Sequence, residues 1–444
     1  MATVVEPRPM ISEEAAPNGT VSPLESLPPI DPAIILQPND IKAVPALVGE
    51  IVSRGLTAVK GDDQARVALL ESARALVRAL EKPRETMIRH CWADNTAFSA
   101  LALGIDTGVW VYLGADDKPK TVADIAAATK IEPALLSRLL KHVAAMGYIH
   151  ETGRDEYRPS SFSKSLTIPI IGAGYQIFTG PGSTGGLGKC VSSLPAYLKS
   201  TGYKTPNSMS DGNLQFSHET KLNMFEWLHA NPPTGQQFNQ HMGGYAQGRP
   251  RWLDDGFYPV QERLIEGFSG ETLLVDIGGS VGHDINEFAT RFPDAKGRLV
   301  LQDVEAVIST ITENQISPKI ERTVYDFFTE QPVKGARAYY MHSILHDWPD
   351  EVSLKILANI KAAMTPGVSR LLINENVIPD VGAQWEATAL DVMMATLLSS
   401  RERTRVDWIR LLEDGAGLKV TNVYTFANGV ESLIEVVLPE TETE

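Results

Sequence analysis

Cysteine is nearly absent: Cys91 and Cys190 are the only two in 444 residues. That excludes a disulfide framework and a structural zinc site, and it suits a reducing compartment. Positive charge is scarce as well, with 40 Lys and Arg against 55 Asp and Glu and a formal charge of -15. Such a balance argues against sequence-independent binding to nucleic acid or to an anionic membrane, and leaves small molecules and other proteins as partners. Long apolar runs are missing too. No stretch of about 18 apolar residues occurs, so no bilayer-spanning segment is expected. The opening MATVVEPRPM has neither the basic start nor the apolar core of a secretory signal, so the expectation is a cytoplasmic protein. What is present, 43% hydrophobic and 21% charged residues with a mean hydropathy of -0.10, is the composition of a globular chain long enough for two or three domains.

Residues 1–45 carry nine prolines among Ser, Glu and Asn without a sustained period, and read as a mobile tail. A first domain is expected over 46–165. Its opening stretch repeats apolar residues at helical spacing, as in Val67, Leu70, Ala73, Leu76 and Leu80. The block 94–112 is nearly uncharged and reads as one all-round apolar helix needing burial on more than one side, which a second subunit could supply. TVADIAAATK, EPALLSRLLKHVAAMG and YIHETGRDEYRP then form two helices and a ribbon, the pattern of a winged helix. Its second helix is only modestly basic, so packing is favoured over DNA reading. Residues 166–266, which include GPGSTGGLG, read as a connecting or lid region over a pocket.

From 267 to 440 the texture alternates. TLLVDIG, GRLVLQD, RTVYDFF, ARAYYMHSIL and RLLINENV are short apolar strands; VEAVISTITE, EVSLKILANIKAAM and RVDWIRLLEDGAG read as helices. That alternation specifies an α/β fold with a parallel sheet covered on both faces. LKVTNVYTF and ESLIEVVLP, joined through Ala427-Asn428-Gly429, close it as an antiparallel hairpin.

Ligands bind beyond the carboxyl ends of such strands. The first strand ends in Asp276-Ile277-Gly278-Gly279-Ser280-Val281-Gly282, whose glycines let backbone approach a bulky ligand. Only Gly278 fits a dinucleotide fingerprint, which disfavours hydride transfer. Asp303 ends the second strand, placed for a ribose diol, and Asp326 ends the third, followed by Phe327, the pair placed for adenine. Acids rather than cations at these positions would repel phosphates and suit the sulfonium of S-adenosylmethionine. The fourth strand runs into His346, followed by an acidic helix opening, while Glu375 and Glu402 stand where they can orient its imidazole as a base. No His, Cys and carboxylate cluster stands at metal-ligand spacing, so no metal is expected.

These residues carry a likeness. VDIGGSVGH, LHDWPDE and ERT at 402–404 make the chain from about 47 to 440 similar to the dimeric plant and fungal small-molecule O-methyltransferases. The resemblance implies a winged-helix dimerisation domain joined to a Rossmann-like S-adenosylmethionine domain, and a homodimer. It assigns Asp276, Gly278, Gly279 and Gly282 to the methionine part of the cofactor, Asp303 to the ribose, Asp326 and Phe327 to the adenine, and His346 as base between Glu375 and Glu402. Met242, Met393 and Met394 would clamp a flat aromatic, polyketide-like secondary metabolite. Two positions depart from the pattern. Ser280 replaces a glycine, and His342 stands where plant members often have a cofactor-contacting lysine. Fungal proteins of this fold also include S-adenosylmethionine-binding pericyclases with an altered base position; an intact His346 favours methyl transfer.

Overall fold

The computed structural model describes residues 27–58, 60–245, 247–426 and 431–439. The chain forms two compact units that divide between Trp92 and Ala93, a boundary not drawn from the sequence.

The first unit pairs helix α1 (Val44–Ala58) with α2 (Asp63–Leu80) and adds a short α3 (Pro83–Ile88). Residues 27–43, within the stretch read as a tail, contain a 3-10 turn at Pro32–Leu36, and the Asn39 and Asp40 amides donate to the Glu81 and Ala79 carbonyls at 2.9 and 3.0 Å. The rest of that expected tail, 1–26, lies outside the described residues. No residue of α1 is buried, and Val48, Val52 and Leu56 are open.

The second unit begins with α4 (Asp94–Asp106) and α5 (Val109–Gly114). The single helix expected over 94–112 is therefore two, because Gly108 takes a left-handed φ of 79° and turns the chain between them. The chain itself covers much of both: Ala97, Leu101, Trp110 and Leu113 are buried, and the Trp110 indole donates to the Leu101 carbonyl at 2.8 Å. Next come β1 (Lys120–Thr121), α6 (Val122–Thr129), α7 (Pro133–Ala145), β2 (His150–Gly153) and β3 (Glu156–Arg158), with the strands in the order β1-β3-β2, as a winged helix requires. Thr121 caps α6, and Glu132 caps α7 ahead of Pro133.

Residues 161–245 are helical: α8 (Ser161–Ser165), α9 (Pro169–Thr179), α10 (Gly188–Ser200), α11 (Asn213–His218), α12 (Met224–Ala230) and α13 (Thr234–Tyr245). Ile177, Cys190, Leu214, Trp227 and Leu228 form their core together with Met394 and Leu397 from further on.

The main sheet contains β4 (Thr272–Ile277), β5 (Arg298–Asp303), β6 (Ile320–Val324), β7 (Ala338–His342), β8 (Arg370–Ile378), the two-residue β9 (Arg403–Thr404), β10 (Lys419–Thr425) and β11 (Glu431–Val437). Its order is β10-β11-β8-β7-β4-β5-β6, with β9 beside β8; β4 to β8 run parallel and the last pair antiparallel. The strand order reverses between β4 and β7, which opens a crevice at their carboxyl ends. β4 is buried along its whole length, Asp276 included, as suits a central strand built on Leu273-Leu274-Val275.

Helix α14 (His283–Arg291) follows the glycine loop, α16 (Asp350–Lys361) follows β7, and α17 (Trp385–Leu397) follows β8. Two helices fall short of expectation. VEAVISTITE yields only α15 (Glu305–Ile308), since the run Ser309-Thr310-Ile311-Thr312 is rich in side chains that crowd a helix or compete for its hydrogen bonds. RVDWIRLLEDGAG yields α18 (Arg405–Ile409) and then a π turn, Arg410–Gly415. β6 stops at Val324, two residues before Asp326, and the turn at 427–429 lies outside the described residues.

Candidate active site

The loop after β4 is a tight cradle. A Cβ on Gly279 would stand 2.5 Å from the Asp276 carboxyl, and one on Gly278 would stand 2.6 Å from Ile344. Gly278 and Gly282 have φ of 68° and 82°, and Ser280 between them has 53°. That position does demand the left-handed region, so the serine carries a strain of about 1–2 kcal/mol that glycine would not. Its amide donates at 2.8 Å to one Asp303 oxygen, while the Val304 amide donates to the other, which fixes the carboxylate at the end of β5. Asp276 is 1% exposed, and its Oδ2 has no partner within the chain. Burial, then the neighbouring Asp284, push its pKa well above the usual carboxylate range, against the pull of His342. A buried acceptor left open beside backbone that tolerates no side chain is built to receive a ligand's donor.

Asp326 is exposed and spends one carboxylate oxygen on the Phe328 amide, 3.0 Å away. Phe327 is half-buried and meets Phe328 and Trp348 edge to face at 4.9 and 5.9 Å, a ring wall beside the glycine loop.

His342 departs most from its expected part. Both ring nitrogens are taken inside the protein: Nδ1 lies 2.6 Å from Asp284 and Nε2 3.2 Å from Glu431. Glu431 also pairs with Arg249 at 3.0 Å, which reaches Glu386 at 3.3 Å and stacks on the Tyr245 ring. Burial opposes the charged ring, but Asp284 and Glu431 outweigh it and lift His342 well above the ordinary histidine value; the same attraction lowers both acids. A ring with two carboxylate partners has no nitrogen left for a cofactor.

His346 sits in the 3-10 turn Leu345–Asp347, 8% exposed. Its Nδ1 lies 2.7 Å from Glu402, and Glu375 is 3.8 Å from the same nitrogen. The two acids therefore do not stand one on each side of the ring. Glu375 instead accepts the backbone amides of Ile344, Leu345 and His346 at 2.9, 2.7 and 3.4 Å, which shapes the turn. The neighbour of Nε2 is Asp347, 3.4 Å away, one of the acids of the helix opening that follows His346 in the sequence. Arg403 is fully buried and locks the turn from below, donating to the Leu345 and Trp348 carbonyls and pairing with Asp350. Burial works against charging His346, but Glu375, Asp347 and Glu402 raise its pKa to about 10. Burial raises Asp347 to about 7.

Among the described residues His346, Glu375 and Glu402 do place ligand atoms within 4.8 Å of one another, contrary to the expectation that no cluster has metal-ligand geometry. Within that cluster His346 Nδ1 is already engaged by Glu402 at 2.7 Å. Of the methionines, Met394 is a core residue, Met393 packs partly against the same core, and Met242 on α13 is 38% exposed. Asp284, Glu431, Arg249, Tyr245, Asp347 and Asn376 were not singled out for the site from the sequence.

The crevice at the β4/β7 switch point, with its glycine cradle and open acid, defines an S-adenosylmethionine-binding Rossmann-like domain. Residues 257–419 match the O-methyltransferase domain family. The chain is 38% identical over 402 residues to O-methyltransferase mpaG of Penicillium brevicompactum, covering 88% of this chain and 98% of that one. It superposes with a TM-score of 0.79 on a structure described as a pericyclic reaction enzyme, at 28% identity, covering 90% of this chain and 100% of the other. With OxaC, solved with S-adenosylhomocysteine and oxaline, the TM-score is 0.78 at 28% identity, covering 89% and 99%. The chain belongs to the O-methyltransferase family and is an S-adenosylmethionine-dependent O-methyltransferase. No helix of the described residues is long and apolar enough to cross a membrane.

Proposed function

We propose that the enzyme methylates a phenolic or enolic hydroxyl of an aromatic, polyketide-like secondary metabolite, with His346 as the proton acceptor. The observation that carries this reading is the 2.7 Å contact of His346 Nδ1 with Glu402, which directs Nε2 to the substrate. Asp276 and the 278–282 loop would hold the methionine part of S-adenosylmethionine and Asp303 its ribose, and the bound cofactor supplies the electrophilic methyl group. Phe327 would pack on the adenine. Met242 and Met393 remain available to a flat acceptor.

A phenol has a pKa of about 10. His346 at about 10 is matched to it, so moving the proton to Nε2 costs little free energy. Below that pH the resting ring is charged, and it serves either by binding a phenolate or, once neutral, by taking a phenol's proton. Both routes put the proton on Nε2 as the oxygen attacks. Base assistance contributes about 10²- to 10⁴-fold, and alignment of nucleophile with the methyl group roughly 7 to 11 kcal/mol.

The likeness to a pericyclic enzyme gives a second reading, a ring-forming isomerisation without methyl transfer. Incubation with methyl-labelled cofactor and a panel of phenolics separates the two: a labelled product one methylene heavier supports methylation, and an unlabelled isomer of the substrate sinks it. We also infer a homodimer, supported by the exposed Val52 and Leu56 of α1 (66% and 75%); sedimentation as a monomer at micromolar concentration would count against it. A cytoplasmic location fits a chain with only two cysteines.

A further inference from the structure

The carboxyl end of β8 and the segment leading into β9 hold an excess of buried acceptors that the mechanism above does not use. Asn376 is 3% exposed and its Oδ1 has no partner within the chain; the same holds for Ser400 Oγ and for the second oxygens of Glu375 and Glu402. The pairing of Val377 with Arg403 places Asn376 beside Glu402, and the Trp408 indole, donating to the backbone carbonyl of Asn376 at 3.1 Å, pins the strand. Tyr245 comes to the same spot from α13. Burial pushes its phenol up to about 12; Arg249 and the nearby Asn376 act against this, while the charges of Glu431 and Glu402 add to it. The side-chain oxygen of Asn376 is the end left open.

These acceptors do not face the cofactor cradle. In the strand order β8-β7-β4-β5 the cradle occupies the ends of β4 and β5, whereas Asn376 and Glu402 lie on the opposite side of the His346 turn. That is where an acceptor must sit. One hydroxyl delivers its single proton to His346 and leaves Asn376 unmet. A second hydroxyl on the neighbouring or facing carbon supplies the missing donor.

We propose that Asn376, beside Tyr245, is a specificity-determining residue selecting aromatic acceptors that carry a second hydroxyl ortho or peri to the one methylated. This rests on the reading of His346 as the base. Sites built to bond a hydroxyl discriminate strongly against the analogue that lacks it, because a buried polar group is left unpaired.

The test uses the full chain saturated with S-adenosylhomocysteine, and naphthalene diols with ortho or peri hydroxyls against the matching naphthols, with binding read by tryptophan fluorescence. The expected result is at least one diol bound about tenfold or more tighter than its naphthol, a ratio that falls to within about twofold in Asn376→Leu. Tyr245→Phe, a gentler change, should lower the ratio about threefold and covers the case in which Asn376→Leu does not fold. No preference for any diol, or a preference that survives in the folded variants, overturns the proposal. Methyl transfer is scored separately with labelled cofactor. Absence of labelled ether from every probe with the binding ratio intact fells the base assignment and leaves the selectivity standing; labelled ether formed from diol and naphthol at equal kcat/KM does the reverse.

Discussion

His342 and His346 stand four residues apart at the end of one strand, each among buried acids, yet they are opposites. His342 has a carboxylate on each nitrogen, at 2.6 and 3.2 Å, so its charge is fixed and its ring is a structural cation. His346 has its firm bond on Nδ1 alone, and the only acid at Nε2 is a carboxyl raised to about 7. The surroundings of the second nitrogen, and not the count of nearby carboxylates, separate a brace from a base.

The largest break in this contrast is His346→Ala, expected to lower kcat by about 10²- to 10⁴-fold while S-adenosylmethionine affinity by calorimetry stays within about twofold. A loss of cofactor binding would erase the distinction. His342→Ala should act mainly on the fold, since it takes the imidazolium away from Asp284 and leaves Glu431 with Arg249 alone. Because the ring is 27% exposed, the cost belongs at the lower end for a broken buried pair, about 3 kcal/mol by thermal or urea unfolding.

The pH dependence of that brace has a defined sign. The raised pKa of His342 stabilises fully below its ordinary 6.5 and is lost as pH rises through the folded value. The lowered pKa values of Asp284 and Glu431 stabilise above their ordinary 3.8 and 4.5 and are lost as pH falls through their folded values. The wild-type advantage over His342→Ala should therefore be greatest between about 4.5 and 6.5 and shrink on both sides.

Glu402→Gln sharpens the other half. Taking away that charge lowers the His346 pKa, so the rising limb of kcat/KM, set near 10 in the wild type, should move to lower pH while the maximal rate drops. An unmoved limb would mean that another group titrates. Smallest is Ser280→Gly, which relieves the left-handed φ and should raise stability by up to about 1 kcal/mol without changing the limb.

The strands, the glycine loop and the trio His346, Glu375 and Glu402 were legible in the sequence because each is a local pattern: an apolar run, a turn composition, an acid or base just past a strand. The brace was not. Asp284 and Glu431 lie 58 and 89 residues from His342, and no spacing rule links a helix start to a hairpin strand across a sheet. Asp347 was in plain view beside His346, but its role depends on which nitrogen Glu402 takes, a matter of side-chain geometry. The 94–112 block misled for a different reason. Its apolar character was right, but Gly108 within it marked a turn that composition alone read through.

Glu402 and Arg403 are consecutive, and β9 is two residues long. One side chain grips the imidazole and the next grips the peptide carbonyls of the turn that carries it. Any shift of that ribbon drags ring and acid together, so their alignment survives breathing of the sheet. Adjustment to acceptors of different girth must then come from the helical layer above, and evolution can reshape that layer freely without retuning the proton-transfer pair.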